Sequence, residues 1–234
     1  MAKFKNIEVN PVITASVQTA GVFTTADVVF DWTEVPLPVS DACRVVSISI
    51  LNRDHAAAKA ADFAGELHFS KSNDFTLGTL NATASMKPNN DLFATTTFTT
   101  ADFDAGIDLV SIATVDTDAL EGLILEPKAG ERSVYVGMIS KTSSEPDLRS
   151  SLTVDGAHAV GLTTLTVADV SAANVLAPGD VIHAADDAVI GTVKSIASAT
   201  SVLLEGSGVQ EALGDDDVIH IVSPIRLIIG VEYA

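Results

Sequence analysis

Cysteine is almost missing from this chain. Cys43 is the only one in 234 residues, so no intrachain disulfide and no cysteine-based zinc site can form. It stands before the apolar run RVVSISIL, where a lone cysteine is expected to serve as a small buried hydrophobe. Basic side chains are also scarce: 13 Lys and Arg against 31 Asp and Glu give a formal net charge of −18. Free nucleic acid is therefore not an expected partner, because binding it needs cations that displace counterions from phosphate. An anionic membrane surface is set aside for the same reason. Aromatic residues make up 5% of the chain, with one Trp and two Tyr, a thin supply for a sugar-stacking platform. No apolar run nears the ~20 residues of a membrane span. The opening MAKFKNIEVN lacks the apolar stretch of a secretory signal, so export by that route is not expected.

What is present is a large apolar fraction, 47%, with only 19% charged residues. That is enough to fill a real core, and the length allows one large or two ordinary domains. The acidity reads as a solubilised outer surface.

The patterning is that of strands. Residues 2–25 are weakly patterned; Ile7, Val9 and Val17 suggest an extended edge strand or an arm reaching a neighbouring subunit, limited by Pro11. Residues 27–33 (DVVFDWT) read as a strand with Trp32 in the core. Pro36 and Pro38 keep the following stretch out of a central ladder. In residues 44–52 (RVVSISILN), Val46, Ile48 and Ile50 alternate with Ser47, Ser49 and Leu51, a half-buried strand. Residues 53–64 (RDHAAAKAADFA) read as a loop with His55 exposed, and residues 66–70 (ELHFS) as a strand with a solvated or hydrogen-bonded His68. Residues 72–84 and 89–91 carry turn formers, residues 92–99 (LFATTTFT), 107–115 and 122–126 have strand composition, and residues 128–131 (KAGE) form a tight turn. Two short apolar segments, residues 131–141 (ERSVYVGMISK) and 224–234 (PIRLIIGVEYA), echo each other, each with a central glycine. They are expected to be strands of one sandwich, with the last segment pairing first of all on residues 133–140, and otherwise on another strand or a neighbouring subunit.

Between them, after a polar linker at residues 142–151, residues 151–222 form a separate acidic β unit with ten acidic residues and one lysine. It contains a short repeat, GDVIH at residues 179–183 and DDVIH at residues 216–220, with further strand segments at 162–167, 190–196 and 201–205. Five short strands with Gly and Asp turns suggest a small barrel or compact sandwich. The expected fold is all-β: a β-sandwich or jelly-roll-like domain (residues 1–150 plus 223–234) with a small β-barrel-like domain (residues 151–222) inserted before the C-terminal strand.

His183 and His220, with Asp180 and Asp217 nearby, are the most tempting metal ligands. Repetition of a strand start explains them without a ligand, and equivalent positions need not meet in space. Asp186–Asp187 and Asp215–Asp217 lack the spacing of a calcium loop and read as solvated turns. No nucleophile elbow, P-loop, dinucleotide fingerprint or H-E-x-x-H is present. No catalytic residue, metal ligand or cofactor is therefore expected, and a hydrolase would need a clustered site that the spacing does not supply.

Residues 45–54 (VVSISILNRD), 66–82 (ELHFSKSNDFTLGTLNA) and 122–140 (GLILEPKAGERSVYVGMIS) resemble structural proteins of the head module of tailed bacteriophages. The resemblance implies a non-enzymatic virion protein that decorates and stabilises the capsid lattice, a cement protein. It would be made in the host cytoplasm, reside on the capsid surface and act there as a homo-oligomer bound to the major capsid protein. Attachment through edge strands and arms makes Phe4, Ile7, Val9, Val12 and Ile13 the candidate interface, with the acidic second unit projecting outward. Rival readings are a host-surface or glycan-binding module and a tail or fibre-base component.

Overall fold

The structure is a computed structural model that describes residues 2–20, 22–53, 63–86, 91–103, 111–115, 120–143, 146, 148, 152–168 and 175–234. About 49% of it is strand and 5% helix, so the all-β expectation holds. His55 and most of the alanine-rich stretch, together with residues 89–90 and 107–110 of the expected turn and strand, lie outside the described residues.

Two sheets enclose the first core. One is built from β1 (Lys3–Val9), β15 (Ile225–Tyr233), β3 (Cys43–Asn52) and β6 (Ser111–Thr114) in that order, with β7 (Ile124–Leu125) also on β3. The other runs β2 (Val28–Pro36), β8 (Ser133–Ser140), β4 (Gly65–Ser70), β5 (Leu92–Phe98). Neighbours in both are antiparallel. Alternate residues of each strand meet in one cluster: Val45, Ile48 and Ile50 from one sheet, Leu67, Phe69, Val134, Val136 and Met138 from the other. This is the sandwich geometry that period-2 strands produce when each sheet has one apolar face. The first segment is the edge strand β1, followed by the short helix α1 (Ala15–Thr19). Pro36 ends β2, which is itself an edge strand, where a missing N–H leaves no gap in a ladder.

β15 lies between β1 and β3, not beside Ser133–Ser140. The echo between the two segments reflects equivalent central positions in opposed sheets rather than adjacency. In each, glycine makes room on the outer face. A Cβ on Gly137 would lie 2.9 Å from Leu77 Cδ2, and one on Gly230 would overlap Ser47 Oγ.

A second correction concerns β3. The buried set is Cys43, Val45, Ile48 and Ile50, while Val46 is 36% exposed. Gly230 pairs with Ser47 but Val231 pairs with Val45, so Val46 is the extra residue of a β-bulge that shifts the alternation by one. Trp32 also departs from expectation. It is half-buried in a satellite cluster with Val28, Leu77 and Ile139, and its Nε1 donates to the Phe75 carbonyl at 2.8 Å.

The second core is separate from the first. It is wrapped by β9 (Thr153–Val154), β10 (Thr164–Ala168), β11 (Val181–Ala184), β12 (Val189–Ser198), β13 (Ser201–Leu204) and β14 (Ile219–Ile221), in the order β14-β11-β12-β13-β10-β9. The sixth strand, β9, is only two residues long, too short to show a period. The sheet curls until its ends meet: Val154 N–H donates to Asp217 O, and Ile219 N–H to Leu152 O.

Candidate functional site

Strand addition by another chain needs a sheet edge, because there a row of backbone N–H and C=O groups lacks a strand partner. The edges differ in chemistry. β1 carries Lys3, Lys5 and Glu8, all exposed, the charged type of edge that resists strand addition. β2 ends on Pro36. β6 is bridged at Ala113 by Phe103. β5, sequence LFATTTF, has no charge, proline or glycine over seven residues. It pairs with β4 along one side, and among the described residues no strand pairs with the other. Leu92 is 43% exposed, Thr95 and Thr97 are exposed, and a shallow depression is lined by Leu92, Phe93, Ala94 and Thr95.

β5 is held in place by its buried side. Phe98 meets Phe63 edge-on at 5.3 Å and Phe103 at 6.1 Å between ring centroids. Its ring also occupies the space over Gly65, where a Cβ would come within 2.6 Å of a ring carbon. Behind the edge, His68 is paired in register with Thr95 and is buried rather than solvated. Burial holds its pKa below the usual imidazole value, against the pull of Glu66 and with the push of Lys141. Lys141 Nζ lies 2.6 Å from Glu66 Oε2, so that carboxylate already has a cation.

Of the arm residues expected at an interface, Phe4 (68% exposed) and Val12 (58%) face outward. Ile7, Val9 and Ile13 are at most 3% exposed and belong to the chain's own core. For Ile7 and Val9 the physical reason is that β1 is a regular strand on β15, so alternate side chains must point into the sandwich. Ile13 lies beyond the strand, where its N–H donates to Val222 O.

The second polar constellation lies where the two cores adjoin. Arg53, at the end of β3, grips Asp180 in bidentate fashion, Nη1 to Oδ1 at 2.7 Å and Nη2 to Oδ2 at 2.6 Å, and Nη2 also donates to Val175 O at 3.0 Å. Asp180 in turn accepts from Ala177 N–H at 2.6 Å, and Arg226 Nη2 stands 3.8 Å away. On the α1 side, Ile13 N–H donates to Val222 O at 2.9 Å, Gln18 Nε2 to Ile221 O at 2.8 Å, and the Ser16 hydroxyl to Asp187 at 2.8 Å.

The two copies of the D-V-I-H repeat fold alike. Gly179 and Asp216 both take positive φ, 92° and 65°. The carboxylate of the next residue, Asp180 or Asp217, accepts the N–H three residues upstream at 2.6 Å in both. The copies then run as antiparallel neighbours, β11 and β14, and the register sets His183 directly opposite His220. The structure thus brings together a pair that sequence spacing did not require to meet. Ile182, Ile219 and Ile221 fill the core, so both imidazoles lie on the outer face. His220 is 1% exposed, and neither of its ring nitrogens has a hydrogen-bond partner; His183 Nδ1 has none either. Burial lowers both pKa values and Asp187 opposes the shift, while His183 pushes His220 down further. Among the described residues no group of three or more His, Cys, Asp or Glu is placed to hold a metal ion. The acidic turns are occupied as caps: Asp186 accepts Ala188 N–H, Asp215 accepts Gly156 N–H, and Asp187 accepts Ser16. His158 is fixed as an acceptor for Thr166 N–H through Nε2, with Nδ1 on Gly156 O.

Compared with known proteins, the chain matches no protein-family model. A search of curated proteins finds no match either. Sequence reading identified β5 as a strand but not as the last strand of its sheet among the described residues. The available signal was negative, seven residues without the Lys, Glu or Pro that mark the β1 and β2 edges.

Proposed function

We propose that this chain is a structural protein of a tailed-bacteriophage particle, and that it decorates and stabilises the capsid lattice by strand addition at β5. The observation that carries the docking mode is the uncharged β5 edge, rigidly backed by Phe63, Phe98 and Phe103. An uncharged edge strand with no described neighbour on one side can template an extended segment of another chain: main-chain hydrogen bonds supply affinity, and alternate side-chain pockets supply register. The major capsid protein as partner rests on the head-module resemblance of residues 45–54, 66–82 and 122–140. The acidic second unit, with its carboxylates on turns, suits a surface turned to solvent. Many copies on one lattice would bridge neighbouring subunits against internal pressure.

The test is co-sedimentation with empty, expanded capsids. Wild-type protein is expected to pellet near-stoichiometrically, and Thr95→Lys/Thr97→Lys to stay in the supernatant while melting like wild type. Equal pelleting of the variant rejects β5 as the docking edge. Absence of wild-type protein from the pellet, with binding to host cells instead, transfers the reading to a host-surface module.

A further inference from the structure

We propose that the His183–His220 pair beside α1 is an acid-operated latch: protonation of the pair releases the α1 segment from the second unit. Two strands place the imidazoles opposite each other, and no hydrogen-bond acceptor reaches either nitrogen of His220. α1 is fastened to the same strands and their turn, by Ser16 on Asp187 and by Gln18 on the carbonyl next to His220. Gln18 is fully buried, and its Oε1 is also without a partner. The site is therefore built for neutral rings.

The charged groups acting on the pair are few. Asp187, on the turn between β11 and β12, favours protonation of both rings, and each strand's own histidine faces the other. α1 brings Ser16 and Gln18 and no charge. One carboxylate can balance one imidazolium. A second proton leaves a net positive charge in a buried site. Asp187 must then turn toward the rings, abandoning Ser16, or the site must open to water. The first outcome breaks the Ser16 tie, and the second brings water to the buried Gln18 tie as well; both loosen α1.

The sign follows from burial. Both rings have folded-state pKa values below the ordinary 6.5. Neutral rings thus stabilise the closed seam above that value, and the contribution is lost as pH falls through 6.5 toward the depressed values. This is the reverse of a histidine that gains a partner on folding.

The experiment is amide hydrogen exchange of residues 15–19 in the full chain, corrected for intrinsic exchange, between about pH 7.5 and about pH 5. Protection there is expected to fall on the order of tenfold or more, while β12 and β13 stay protected. In His183→Gln/His220→Gln the fall should vanish. The same fall in the double variant assigns the effect to carboxylates and overturns the latch, as does unchanged wild-type protection. Should the double variant fail to fold, NMR titration of the wild-type imidazoles decides: a His220 that titrates at or above the ordinary value overturns the proposal, and one that titrates below it together with loss of α1 protection upholds it.

Discussion

The ion pair between Arg53 and Asp180 should be the strongest single tie between the two cores. Arg53 closes β3 of the first, and Asp180 opens β11 of the second. The side chains are 11% and 3% exposed, so neither charge has bulk water to return to. Replacing Arg53 by Met keeps the apolar stem and removes the guanidinium. Asp180 then retains Ala177 N–H and Arg226 at 3.8 Å, a single hydrogen bond and a distant cation. Removing one partner of a buried pair typically destabilises by about 3–5 kcal/mol, and the residual Arg226 places this case near the lower end, about 3 kcal/mol. Asp180→Asn keeps the shape but cannot hold the bidentate grip. If the mechanism is the uncompensated charge, the double variant Arg53→Met/Asp180→Asn should lose much less than the sum of the singles, with a coupling of at least ~1.5 kcal/mol. Urea unfolding followed by Trp32 fluorescence for the first core, and by amide exchange for the second, reads both halves. A loss below ~1 kcal/mol for Arg53→Met, the range of an exposed ion pair, or strict additivity in the cycle, would refute the argument.

Truncation after Val222 removes β15, whose Ile225, Leu227, Ile229 and Val231 are all 0% exposed. At about 1.5–3 kcal/mol each the loss is roughly 6–12 kcal/mol, comparable with a whole domain's stability. The native Trp32 signal should vanish while β10–β13 keep native amide protection; a surviving cooperative Trp32 melt would contradict the topology. Gly208→Ala should destabilise the second unit by about 2–4 kcal/mol, because an L residue is strained at its φ and its Cβ meets backbone. That φ is +73°, and the Cβ would lie 2.6 Å from the Leu162 carbonyl carbon; an unchanged urea midpoint would show that the Leu162 segment moves freely. Cys43 is fully buried, and burial followed by the Asp41 charge raises its thiol pKa, so a thiol reagent should react only after unfolding. Rapid native labelling at neutral pH would show that the strand opens locally.

What the sequence revealed and what it withheld divide along a physical line. Strand existence was legible, because alternation at period two is a local property: Ile48 and Ile50, Leu67 and Phe69, and Leu227 and Ile229 all face the core as their spacing demands. Strand neighbours were not legible, because pairing is set by which faces must be shared across the whole sandwich. That is why β15 sits on β1 and β3 despite its likeness to β8. Single-residue irregularities also escaped: one bulge at Val46 exchanges the buried valine for its neighbour. The histidine pair is the instructive case. Two copies of one turn-and-strand unit were visible, each with an Asp that caps its own turn. Had the copies been distant in the sheet, their histidines would be unrelated. As antiparallel neighbours they are related by a local two-fold, and a two-fold sets some residue opposite its own equivalent. Here that residue is the histidine, His183 against His220. The chemistry of the pair therefore comes from strand order acting on a repeat, and a sequence that displays the repeat without the order shows only half of the site.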